Sequence, residues 1–199
     1  IYTAYIALEP FVRRRWPAKI ISWNRLMTND LRDPLIGRDV LFGLLLGLVS
    51  SLLSRLWILA PTLFGHPSYD LRSSRGLILL SLRGAMADVS ESVYQGLMTA
   101  FSLMFVITLV VAIVRREWLA STLAWAVITL LSLIGSEHLA IDVWFAAADA
   151  ALLIFCVTRL GLLATVTFFI ANGMMSDVPF STDLSAWYAA HALPYYAVI

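Results

Sequence analysis

Apolar residues gather along this chain into runs of about 20, the length a helix needs to cross a bilayer, and short charged or turn-forming links separate the runs. Read in order, they predict an all-α polytopic transmembrane bundle of about seven spans, treated as one domain over residues 1–199. The spans are expected at 1–12 (partial), 40–60, 92–114, 118–134, 141–157, 160–175 and from 184 onward (partial). Pro61 is expected to end the second.

Two stretches break the rhythm. Residues 13–39 predict a cytoplasmic interfacial segment. Within it 18–31 forms an amphipathic helix with Ile20, Trp23, Met27 and Leu31 on one face and Lys19, Arg25 and Asn29 on the other. Residues 62–91 predict an external interfacial segment: 77–87 is apolar, but Arg83 and Asp88 make it too charged to span, so it lies along the interface or re-enters partway.

Charge then orients the spans. Arg13, Arg14 and Arg15, the pair Arg115 and Arg116, and Arg159 fall in alternate links, as the positive-inside rule requires of cytoplasmic ends. The links at 135–138 and around Asp177 and Asp183 lack basic residues and read as external. The first residue is thereby placed outside, and a further span upstream is needed to reach any cytoplasmic domain. Both ends fall within apolar segments, which predicts a piece of a longer chain, and no signal-peptide pattern opens it. The expected location is a bacterial inner membrane.

Composition strengthens the membrane reading: 60% of residues are hydrophobic and 14% charged, against about 45–50% and about 25% in soluble domains. The net charge of +1, with no basic run interleaved with aromatics, argues against nucleic acid as a partner. Cys156, the single cysteine, has no partner for an intrachain disulfide and reads as a small buried hydrophobe.

Candidate sites follow from what hydrocarbon tolerates. Gly43 and Gly47 form a small-xxx-small pair that permits close helix approach. Arg55, about three-quarters across its span, must pair or snorkel, and Asp149, near the middle of its own, is expected to face the bundle interior and bond another helix or to carry a proton or polar ligand, a lipid-facing position being the remaining alternative. Glu9 with Arg13, and Arg32-Asp33 with Arg38-Asp39, are read as interfacial anchoring charges or a docking face, with Arg14 beside them and Trp16 and Trp23 in the headgroup zone. Among His66, His138 and His191, only His191 falls within a span, where a lone imidazole can hold a tetrapyrrole axially. Lipid is the expected companion; a tetrapyrrole pigment is the cofactor alternative. Trp118, Trp187 and Tyr188 read as belt anchors, and Trp144, Phe145, Phe168 and Phe169 as packing or lipid contacts.

Several spaced motifs carry a resemblance. Ala7-Leu8-Glu9-Pro10-Phe11-Val12-Arg13-Arg14-Arg15-Trp16-Pro17, then Ile21-Ser22-Trp23-Asn24-Arg25-Leu26, then Arg32-Asp33-Pro34-Leu35-Ile36-Gly37-Arg38-Asp39, and finally Phe180-Ser181-Thr182-Asp183-Leu184-Ser185-Ala186-Trp187-Tyr188-Ala189 recur in this order. Together they resemble the C-terminal multi-span membrane region of large bacterial serine/threonine protein kinases. The resemblance implies a cytoplasmic kinase domain upstream. These residues hold no part of one: Lys19 is the single lysine, and the glycine-rich loop, the His-Arg-Asp loop and the Asp-Phe-Gly site are absent from the sequence.

Two functions are therefore expected. One is a non-catalytic membrane domain that anchors or assembles a larger protein and couples the envelope side to a kinase through the segment at 18–31. The other is an accessory subunit of a respiratory or photosynthetic complex, packed on other membrane subunits with lipids or pigments between. A transporter or channel would need more intramembrane charge than Asp149 and Arg55 supply.

Overall fold

In hydrocarbon each backbone N–H and C=O must be satisfied within its own segment, which leaves the helix as the available form for a chain of this composition. The computed structural model describes residues 20–29, 32–63, 65, 82–136 and 138–176, and every regular element among them is helical. These elements are α1 (Ile21–Met27), α2 (Pro34–Leu63), α3 (Leu82–Val114), α4 (Glu117–Ser132), α5 (Leu139–Phe155), which continues as a π turn over Cys156–Leu160, and α6 (Leu162–Ser176). Three of them, Pro34–Thr62, Met86–Val114 and Leu139–Leu160, are long and apolar enough to cross a membrane; Glu117–Ser132 and Leu162–Met175 are apolar but shorter. The expected first and seventh spans, with Glu9, Arg13, Arg14, Trp16 and His191, lie outside the described residues.

Contacts along the helices fix their directions. Gly43 meets Ala164 and Gly47 meets Phe168, so α2 and α6 run parallel. Ser92 lies beside Gly173 and Gly96 beside Ile170, so α3 runs against α6. Ser50 bonds Asp149 and Trp57 bonds Asp142, which sets α5 antiparallel to α2. The Trp125 indole donates to the Ala147 carbonyl at 2.9 Å, closing the α4–α5 hairpin. Helix α6 is the axis, with Leu162, Leu163, Ala164, Thr165, Val166, Phe168, Ala171, Met174 and Met175 all buried.

This alternation brings the starts of α2, α4 and α6 to one end, together with α1 and with Arg38, Arg115, Arg116 and Arg159. We call it the basic end. The bias belongs to the short links: Arg83 stands near the start of α3 at the opposite end, and the sequence joining α2 to α3 there also holds Arg72 and Arg75.

Several expected boundaries shift for local reasons. Helix α2 begins at Pro34 rather than residue 40, because the Asp33 carboxylate caps the Leu35 N–H at 2.8 Å and proline suits the first helical position. It also runs past Pro61 to Leu63. Helix α3 begins at Leu82, so the last ten residues of the expected interfacial stretch are helix continuous with the span. Between α3 and α4 the chain reverses at Arg115, whose φ of 61° is the left-handed conformation that terminates helices. Between the π turn and α6 it reverses at one residue, Gly161, with φ of 104°.

The bundle is apolar on much of its outer surface as well as in its core. Leu41, Phe42, Leu45, Val49, Leu52, Leu56 and Leu59 form an exposed stripe down α2, while Ser50, Ser51, Asp39, Asp142 and Thr165 are buried. Large apolar residues outside and small or polar ones inside is the arrangement lipid selects.

Candidate functional site

Three polar clusters occupy the bundle: one at the basic end, one midway and one nearer the opposite end. At the basic end, Asp39 lies 2% exposed and accepts a hydrogen bond from the Ser22 hydroxyl at 2.5 Å. The Arg38 guanidinium donates to its other oxygen at 3.0 and 2.8 Å. Trp23, also buried, meets Phe101 of α3 edge to face, with ring centroids 5.2 Å apart. Arg25 pairs with Asp33, whose carboxylate also caps α2. The seven-residue α1 is thus tied to α2 by a charge-assisted hydrogen bond and to α3 by an aromatic contact.

This corrects the surface reading of these residues. Asp39 is not an exposed anchor but the buried acceptor that holds α1. Trp23 is buried, its ring packed edge to face on Phe101. Asp33 pairs with Arg25 and Asp39 with Arg38, while Arg32 is exposed. The Arg38 side chain stays 53% exposed while its guanidinium bonds Asp39.

Midway along the bundle, Gly43 and Gly47 let the α2 backbone lie directly on α6. A Cβ at Gly43 would collide with the Thr167 hydroxyl and the Ala164 carbonyl, and one at Gly47 would sit 2.5 Å from the Phe168 carbonyl oxygen. One turn further the contact turns polar. Asn172 donates to the Ser50 hydroxyl at 2.9 Å, and Ser50 donates to Asp149 at 2.5 Å, so a single relay joins α6, α2 and α5. Asp149 does face a neighbouring helix, and no Lys or Arg among the described residues forms an ion pair with it.

Nearer the opposite end, the Trp57 indole donates to Asp142 at 2.6 Å, and the His138 backbone N–H reaches the other Asp142 oxygen at 3.4 Å. Asp142 is completely buried. Arg55 donates to the Met175 carbonyl at 2.5 Å, where α6 ends with its last carbonyls unpaired along the helix and its dipole negative. A charge placed late in one span thereby caps the end of another.

The sequence reading did not single out Asp142 or Trp57. A signal was present: Asp142 lies in the first turn of α5, where a carboxylate favours the helix dipole and can reach back to the residue before the helix. Cys156, fully buried in the π turn, is the packed hydrophobe its surroundings suggested. Among the described residues no group of three or more His, Cys, Asp or Glu is arranged to hold a metal. Comparison with family models, curated proteins and solved structures finds no match to this chain.

Proposed function

We propose that this chain is a non-catalytic membrane domain that assembles with, and passes a conformational signal to, a cytoplasmic serine/threonine kinase domain. One observation carries the reading: α1 at the basic end is held at once by α2, through Ser22 and Asp39, and by α3, through Trp23 and Phe101. A shift of α2 against α3 must move α1 or break one of its two attachments. With the positive-inside rule the basic end is cytoplasmic, which puts α1 on the side where a kinase would stand. The resemblance of the motifs around Glu9, Ser22 and Asp33 to kinase membrane regions supplies the partner class.

The test has two steps. Mass measurement of the chain isolated from its native membrane separates a kinase-bearing parent, several times heavier than 22.1 kDa, from an accessory subunit of this size that travels with a large complex. In the kinase-bearing protein, Trp23→Ala is expected to change autophosphorylation while the bundle stays folded. A 22 kDa native chain, or unchanged autophosphorylation with α1 detached, overturns the coupling.

A further inference from the structure

A groove runs between α2 and α4 over the face of α5, from the end opposite the basic one toward the middle of the bundle. Its outer part is a cleft of about 230 Å³ lined by Trp57, Ile58, Ser132, Ser136 and Asp142 among others. Its inner part is a small cavity of about 30 Å³ beside Asp149, walled also by Ser54, Trp57, Ser132 and Phe145. Trp57 and Ser132 line both spaces and so mark where one opens into the other.

The polar lining of the inner cavity is one-sided. The Ser54 hydroxyl spends its proton on the Ser50 carbonyl at 3.0 Å, and the Ser132 hydroxyl on the Ile128 carbonyl at 3.0 Å. The Trp57 N–H is directed to Asp142. What remains toward the cavity is acceptor capacity: lone pairs of two hydroxyls and a carboxylate. The volume suits one water molecule or a small ion, and the lining calls for an occupant that is electropositive.

We propose that Asp149, Ser54 and Ser132 form a binding site for a single neutralising monovalent cation, a sodium ion or a proton carried on water, loaded through the cleft at Asp142. A carboxylate at mid-membrane is costly while charged and unpaired, and either occupant removes that cost. The charged groups on the elements packed around the site are spoken for or distant along their helices. On α5, Asp142 lies two turns away and holds Trp57. On α2, Arg55 caps the Met175 carbonyl, while Arg38 and Asp39 pair at the basic end. On α4 the charged residue is Glu117, at its first position, and α6 carries none. Ser50 and Asn172 fix the rotamer of Asp149 from the far side. Cation loading depends on this helix arrangement and not on a kinase partner, so it stands or falls separately from the coupling proposed above.

The test is thermal unfolding of the full chain in lipid nanodiscs, at constant ionic strength, with sodium replacing choline and across a pH series. If sodium is the occupant, it raises the Tm at alkaline pH and acid competes with it. Asp149→Asn, which mimics the neutralised carboxyl, removes both dependences. Ser54→Ala, which leaves the bond from the Ser50 hydroxyl to Asp149 in place, raises the sodium concentration at half-effect about tenfold, the loss of roughly one good ligand at 1.4 kcal/mol. If the proton is the occupant, sodium does nothing, acidification raises the Tm of the wild type, and Asp149→Asn abolishes that rise. Should Asp149→Asn not fold, Ser54→Ala and Ser132→Ala carry the same comparison. A Tm indifferent to both ions, or a dependence that survives substitution of Asp149 or of both serines, overturns the proposal and leaves Asp149 a structural acceptor.

Discussion

The two halves of the bundle are built from the same five helices, α2 to α6, but differ in the balance of forces that holds them. Toward the basic end, α2, α3 and α6 meet through Phe101, Met104, Ile107, Leu162 and Ala164, all nearly inaccessible, and through Gly43 and Gly47 against the Ala164 and Phe168 carbonyls and the small side chains of Thr167 and Ala171. Toward the other end the contacts are Ser50 with Asp149, Trp57 with Asp142 and Arg55 with the α6 terminus, and the groove opens between α2 and α4. Lipid tails are as apolar as leucine, so close packing and interhelical hydrogen bonds are the two means of association a membrane leaves. This molecule leans on close packing toward the basic end and on hydrogen bonds toward the other, with Ser22 on Asp39 and Gly96 against Ile170 supplying the complementary means in each half. We read the close-packed half as the frame, and the groove lies in the other half.

That contrast can be broken most severely at Gly47. Gly47→Leu would drive a branched side chain into the Phe168 carbonyl and Ala171, and is expected to cost ~3 kcal/mol or more and to part α2 from α6. Reversible unfolding in detergent checks this; a stability near that of the wild type would mean that the glycine contact is not the frame.

Trp57→Phe probes the polar half. It retains the aromatic body but leaves the buried Asp142 oxygen without its indole donor, at an expected cost of about 2 kcal/mol. Because Trp57 also borders both cavities, the substitution should speed hydrogen exchange in the first turn of α5 while α1 stays protected.

Arg115→Gly sharpens the comparison at a link. The left-handed backbone at Arg115 disfavours any side chain, so glycine is expected to stabilise the α3–α4 reversal by about 1 kcal/mol in unfolding measurements. Leu52→Ala, on the exposed stripe of α2, should change stability by no more than about 0.5 kcal/mol in the same assay. A larger loss would mean that a helix covers that stripe.

Helices were legible in the sequence as apolar runs: five of the expected runs coincide with α2 to α6 apart from their ends, and three of these are long enough to cross a bilayer. Their ends were less legible. Pro34 begins a helix since Asp33 can cap it, a pairing that the surrounding charges disguised as a loop. Leu82 begins one although Arg83 and Asp88 follow, since Arg83 projects from the helix end into open space while Asp88 turns inward. Of the candidate sites, Gly43, Gly47, Arg55 and Asp149 could be found because a small or charged residue in an apolar run has few explanations. Asp39 and Trp23 were placed at the surface because interfacial charges and tryptophans look the same whether they face headgroups or a docked helix. Only the tertiary contact between α1 and the ends of α2 and α3 distinguishes the two.

The account rests on hydrocarbon surrounding the apolar stripe of α2 while glycine and serine face inward. Nitroxide labels placed singly at 41–59 in liposomes, read by collision with oxygen and with a water-soluble nickel complex, measure this directly. Oxygen contact is expected to peak at Leu45, Leu52, Leu56 and Leu59 with helical period and to dip at Gly47, Ser50 and Ser51, with the nickel complex excluded from the stripe. Nickel contact at Leu52 equal to that of a water-exposed residue would contradict it.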